Sequence, residues 1–170
     1  MINNNFKKIL KCLFTYTSTD TNDLKLIGLN GTEIQEPRTG YRILQYLNTS
    51  LNTIINSDGI SSDALGGVCM GFGAGSKQVS LEDYNLETII NNLSYQTSSV
   101  ETTKEGYTVI TSAKNNTSTD IIVSEVGLFC RGQSSPLASE HPFMLTRNVL
   151  ETPITIKAGE TKTFTVTINF

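Results

Sequence analysis

The C-terminal stretch "TKTFTVTINF" sets Phe164, Val166, Ile168 and Phe170 in strict alternation with polar residues, the period-two pattern of a strand with one buried face. Short apolar runs recur upstream between turn-forming residues. "GVCMGFG" ends in glycine, and "GYTVITSAKNNTSTDIIVSEVGLFC" reads as two strands around a polar turn at residues 114–119. Residues 143–147 form a further apolar run, and "PITIKAGETK" places Ile154 and Ile156 on a strand before a turn at Ala158-Gly159-Glu160. No helical crossover separates these runs, which argues against a parallel, nucleotide-binding sheet. The pattern over residues 67–170 predicts a mainly β unit, an antiparallel β-sandwich.

Residues 1–66 follow another period. Ile2, Phe6, Ile9, Leu10 and Leu13 recur at three- and four-residue spacing, which places them on one face of a short amphipathic helix, with Lys7, Lys8 and Lys11 opposite. Leu44, Leu47, Leu51, Ile54 and Ile55 have helical spacing too and predict one further helix before the sandwich. Between the two, "DLKLIGLNGTEIQEP" centres two short runs on Asn30-Gly31, a hairpin signal. The face made by Phe6, Ile9, Leu10 and Leu13 has two readings: it caps the chain's own core, or it docks on a neighbour. A polar linker at residues 17–22 sets the helix apart, and from this we expect residues 1–66 to serve attachment or oligomer contact.

Composition sharpens the picture. Hydrophobic residues make up 38% and charged residues only 17%, so Thr, Ser and Asn carry much of the polar surface. Threonine's β-branch suits a pleated, half-buried surface. A net charge of -3 gives no general attraction to nucleic acid or to an anionic membrane. No apolar run is long enough to span a bilayer. Lysines interrupt the apolar positions of the N-terminus, so it does not read as a secretory signal. Cys12, Cys69 and Cys130 lack metal-like spacing and read as reduced thiols of a chain folded in the cytoplasm. The lone His141 has no nucleophile signature to work with.

The chemistry-bearing candidate is "GFGAGSKQVSLEDYNLE", residues 71–87, whose opening looks like a phosphate cradle. A dinucleotide fingerprint needs glycine where Ser76 stands, and a P-loop needs glycine directly before its lysine, where Ser76 again intervenes. Both motifs must also open a helix, and "SKQVSLEDYNLE" does not begin one at the right place. The sequence therefore predicts no nucleotide, no other cofactor, no metal and no enzymatic activity.

The succession "MGFGAGSKQVSLEDYNLE", "VSEVGLFCRG" and "LTRNVLETPITIKAGETKTFTVTINF" resembles the β-sandwich virion proteins of tailed bacteriophages, the tail-collar, tail-fibre and neck group. In that group a strand ends in a glycine-rich turn and a polar segment with Asp and Leu follows, matched by Asp83 and Leu86. The later strand is matched by Val123, Glu125, Val126, Gly127, Leu128 and Phe129. The ending is matched by Arg147, Leu150, Pro153 and Ile154, an Ala-Gly turn and a final alternating strand. The resemblance covers residues 67–170. It implies a structural virion component located in the particle and acting in several copies, with other virion proteins of the tail, neck, portal or capsid as partners and a symmetric homo-oligomer as its state. The alternative is a receptor- or carbohydrate-binding module of a tail or head fibre, because sandwich loops commonly carry binding residues. The absence of Trp and an aromatic content of 8% weigh against a sugar platform.

Within "EVGLF", strict alternation places Glu125 on one face with Ile121, Val123, Gly127 and Phe129. A carboxylate buried there needs a partner, and Arg147 on a neighbouring strand is the candidate; the other reading is an exposed Glu on a sheet edge. Gly127 lets a large side chain or a backbone approach closely.

Overall fold

The structure, a computed structural model, describes residues 1–15, 24–36, 68–102, 106–133 and 140–169, with backbone alone at 10–15, 24, 34–36, 68, 96–102, 107, 130–133 and 140–142. The second expected helix, the linker at 17–22 and Phe170 lie outside the described residues, as do the side chains of Leu10, Leu13, Cys12, Cys130 and His141. The chain runs α1 (Asn4–Thr15), β1 (Leu24–Ile27), β2 (Glu33–Glu36), β3 (Val68–Gly73), β4 (Leu93–Thr102), β5 (Gly106–Asn115), β6 (Ile121–Gln133), β7 (Glu140–Ile156) and β8 (Thr161–Asn169). It is mainly β.

Strands β3-β6-β7 and β4-β5-β8 form two three-stranded sheets in which every pairing is antiparallel. Strand β8 buries Phe164 and Ile168, half-buries Val166, and exposes Thr161, Thr163, Thr165 and Thr167. Phe72 of β3 meets Phe164 of β8 at 4.4 Å between ring centroids and stacks on Tyr95 of β4 at 5.7 Å. Met70, Val126, Leu128, Phe143 and Ile156 of one sheet thus share a core with Leu93, Val109, Ala113, Phe164 and Ile168 of the other. Tyr95 has its phenol pKa raised by burial and by the neighbouring Cys69.

Two turns show local chemistry at work. Gly28 and Thr32 close the β1–β2 hairpin around Leu29, Asn30 and Gly31, with the Gly31 N–H bonded to the Gly28 carbonyl and Gly31 at φ 79°. Asn30-Gly31 here makes a three-residue loop in which glycine takes the left-handed position, instead of a two-residue turn. Between β5 and β6, buried Asn115 gives its amide N–H groups to the Thr119 and Ile156 carbonyls and accepts from Thr117. Every polar atom of that side chain is occupied, which offsets the cost of burying it.

The N-terminus is built into this body. Phe6 and Ile9 are 2% and 0% exposed, in one core with Leu26, Phe143 and Leu145. Of the two readings of this face, these two residues take the first and pack into the chain's own core. The reason lies in the three asparagines before them. Asn3 accepts from the Phe6 N–H, capping α1, and donates to the Met144 and Asp83 carbonyls. Asn4 donates to Glu82, and Asn5 both donates to the Ile27 carbonyl and accepts the Ile27 N–H. Residues 1–3 also extend the β7 edge, with an Ile2–Thr146 bridge and an Asn3 N–H to Leu145 carbonyl bond of 3.0 Å.

Strand β6 supplies a second correction. A register shift between Val123 and Glu125 breaks the alternation, since a bulge sets an extra residue against one partner and exchanges the faces beyond it. Val123 therefore lies in the core shared by the two sheets, and Glu125 lies across the sheet with Gly127 and Phe129. There Phe129 packs with Cys69, Leu86 and Met144 in a smaller cluster.

Candidate functional site

On that second face Glu125 and Arg147 are fully buried, at 0% and 1% exposure. Arg147 stands opposite Gly127 in the β6–β7 ladder, so Glu125 is its diagonal neighbour on the same face. Arg147 Nε donates to Glu125 Oε2 at 2.7 Å, and Nη1 donates to Asp83 Oδ2 at 3.0 Å. Nη2 lies 3.7 Å from Glu87 Oε2, too far for a hydrogen bond, and has no hydrogen-bond partner among the described residues. Desolvation pulls the guanidinium pKa down, but the bonds and charges of Glu125 and Asp83 outweigh it, and the pKa is raised. Arg147 is a permanent cation enclosed by carboxylates.

Those carboxylates also hold residues 74–92, a loop with no helix in it. Glu125 Oε1 accepts the Gly75 and Thr88 N–H groups at 3.1 and 2.9 Å, and Oε2 accepts the Glu87 N–H at 3.2 Å. Glu87 Oε2 accepts the Ser76 and Lys77 N–H groups at 2.8 and 2.7 Å. Asp83 Oδ2 accepts the Ser80 N–H at 2.8 Å. The Glu87 carboxyl is held below its ordinary value of 4.5, first by the Lys77 N–H, with the Ser76 N–H and the Arg147 charge adding to it against desolvation.

The glycines of "GFGAG" make room for this arrangement. A Cβ on Gly73 would fall 2.4 Å from Glu125 Oε1, one on Gly75 2.5 Å from the same atom, and one on Gly71 2.6 Å from the Phe129 ring. Gly127 likewise lies under Phe129 and Leu86. The Gly75, Ser76 and Lys77 amides that would face a phosphate in a nucleotide loop already bind the chain's own carboxylates. An anion has nothing left to displace but Glu87 and Glu125.

Beside the network is an open pocket of about 440 Å³, with Lys77, Asp83, Tyr84, Asn85, Glu87 and Arg147 in its walls. Among the described residues no group of His, Cys, Asp or Glu has the arrangement of a metal site. No described helix is long and apolar enough to cross a membrane.

Of the residues singled out in the sequence, the structure brings together Glu125, Gly127, Phe129 and Arg147, and places Phe6 and Ile9 in the core. Asp83 and Glu87 were missed as ligands of Arg147. The signal available was their spacing: Asp83 and Glu87 follow the glycine turn closely, so the chain leaving β3 can fold back over the same sheet. No protein-family model, curated protein or solved structure matches the chain.

Proposed function

We propose that the chain is a structural component of a tailed-bacteriophage virion, in the tail, neck or collar, built as an antiparallel β-sandwich and acting in several copies. One observation carries the reading. The three segments behind the resemblance, the glycine turn with its loop, "EVGLF" and the strand bearing Arg147, meet in the single Glu125–Arg147–Asp83 network. A motif set scattered over residues 71–147 has one job, to lock a long loop onto a sheet with charges that answer each other. Such a lock suits a building block that must keep one shape under load. The chain then performs no reaction and needs no cofactor, and its partners are other virion proteins.

The test is location. Antibody raised against the purified chain should decorate intact phage particles from the source of this sequence at a fixed site, and the gene should lie among portal, capsid or tail genes. A metabolic operon, or particles that never bind the antibody, would sink the proposal.

The pocket favours a second reading, a receptor- or carbohydrate-binding module. Tyr84 is 44% exposed beside Asp83, Asn85 and Glu87, an aromatic face next to groups that pair with vicinal hydroxyls. Saturable glycan binding lost in Tyr84→Ala would favour this reading over a purely structural one.

A further inference from the structure

The two sheets have four edges, and three are blunted. Strand β3 is covered at Phe72–Ala74 by residues 88–90, through the Ile90 N–H to Phe72 carbonyl bond of 2.9 Å and the Ala74 N–H to Thr88 carbonyl bond of 2.8 Å. Strand β7 is covered by residues 1–3 and carries Pro142 and Pro153. Strand β4 is kinked by a register shift between Tyr95 and Thr97. Covering, proline and bulges are the devices that keep sheet edges from pairing with other chains. Among the described residues strand β8 has none of them. It pairs with β5 without a shift from Thr161 to Asn169, contains no proline, and has no strand on its outer side among the described residues.

We infer that β8 is a homodimerisation edge, pairing antiparallel with β8 of a second copy about a two-fold axis at Thr165. The Asn115 N–H donates to the Glu160 carbonyl, which turns the even-numbered residues of β8 toward β5. Alternation then points the N–H and C=O groups of Thr161, Thr163, Thr165, Thr167 and Asn169 outward. A two-fold at Thr165 sets Thr165 against Thr165 of the second copy, Thr163 against Thr167 and Thr161 against Asn169. Each of these pairs can exchange both backbone bonds.

The side chains match as well as the backbone. The exposed threonines form a hydroxyl row, and in the non-hydrogen-bonded pairs of the β5–β8 ladder such hydroxyls already meet: Ser112 Oγ to Thr163 Oγ1 at 2.7 Å, and Thr108 Oγ1 to Thr167 Oγ1 at 3.2 Å. A hydroxyl both donates and accepts, so threonine opposite threonine is self-complementary, as an isologous contact requires. The one charge on β8, Lys162, lies on the other face, 3.8 Å from Glu160, and in this register would stand across from Ile168. No like charges meet. The dimer would join two β4-β5-β8 sheets into one continuous sheet. This inference concerns the chain in solution and does not depend on the virion reading.

Sedimentation of the full chain over a range of concentrations tests it. The parent should show a monomer–dimer equilibrium. Thr165→Lys and Thr165→Glu each place like charges across the two-fold and should each weaken the dimer by about tenfold or more. Mixing the two variants should restore a heterodimer of at least parent affinity, because the charges then oppose. Thr165→Pro, which removes one outward N–H and leaves the β5 ladder intact, should also dissociate the dimer. At concentrations low enough for the parent to be monomeric, circular dichroism melts of the Thr165→Lys and Thr165→Glu variants should overlay the parent's, since Thr165 is exposed. A parent that stays monomeric throughout, a dimer indifferent to all three substitutions, or a mixture that fails to re-associate would overturn the inference.

Discussion

Glu125 and Arg147 are diagonal neighbours across the β6–β7 ladder, and their 2.7 Å contact is made where water is excluded from both. A buried pair adds little when compared with a well-packed apolar pair, but removing one partner leaves an unmatched charge in a medium that cannot solvate it. Glu125→Ala and Arg147→Ala should therefore each cost about 3–5 kcal/mol in urea titrations. The double variant should cost clearly less than the sum of the two. Additive losses would mean that the two side chains stabilise the fold independently.

The glycines separate two causes of destabilisation. Gly73 does not have a positive φ, yet an added Cβ would meet Glu125 at 2.4 Å and the Thr88 carbonyl at 2.7 Å. Gly159 has nothing within 4 Å but sits at φ 76°. Gly159→Ala should cost about 1–2 kcal/mol from backbone strain alone. Gly73→Ala should cost about 1–3 kcal/mol or more. It should also raise the amide exchange of Gly75 and Thr88, whose N–H groups bind Glu125, while Gly159→Ala leaves that exchange unchanged. Equal exchange in the two variants would contradict the crowding argument.

Much of this architecture was legible from periodicity. Alternation gave β8 its buried face because Phe164, Val166 and Ile168 recur at every second position, and the pairing of Glu125 with Arg147 could be reached from the cost of burying either alone. What periodicity missed has specific causes. Strand β4, "LSYQTSSVET", has few apolar side chains to reveal its period. Ser124 conceals a bulge, which has no hydrophobic signature, so the face of Val123 came out reversed. Asparagines 3–5 carry no period of their own, although their side chains anchor α1 to β7, β1 and the loop; one residue's amide can replace a missing backbone partner, and composition does not show which partner it will find.

Glu87 makes a pH-dependent contribution whose sign follows from its shift. Its carboxyl titrates below 4.5 in the folded chain, because the Lys77 and Ser76 N–H groups favour the ionised form. The resulting stability is fully present above the unfolded value and is lost as pH falls through the lower folded value. In Glu87→Gln the denaturation midpoint should lie below the parent's near neutral pH, and the two should converge as the solution is acidified past 4.5. A gap that stays constant with pH would show that the carboxylate charge is not what the amides recognise.

Helix α1 tests whether the N-terminal region belongs to the body of the protein. Twelve residues are too few to hold a helix in water without packing, because nucleation costs more than so short a run of hydrogen bonds returns. The helix therefore forms only if its apolar face is covered, and Phe6 and Ile9 are covered here by Leu26, Phe143 and Leu145. Lys7 and Lys8 on the other side are exposed. Phe6→Ala should consequently destabilise the isolated chain by about 3–5 kcal/mol, the loss expected for a buried ring. Lys8→Ala should stay within about 0.5 kcal/mol of the parent. Thermal melts of the two purified variants decide the matter. A Phe6→Ala variant that melts with the parent would return this face to the surface and to a neighbour's reach.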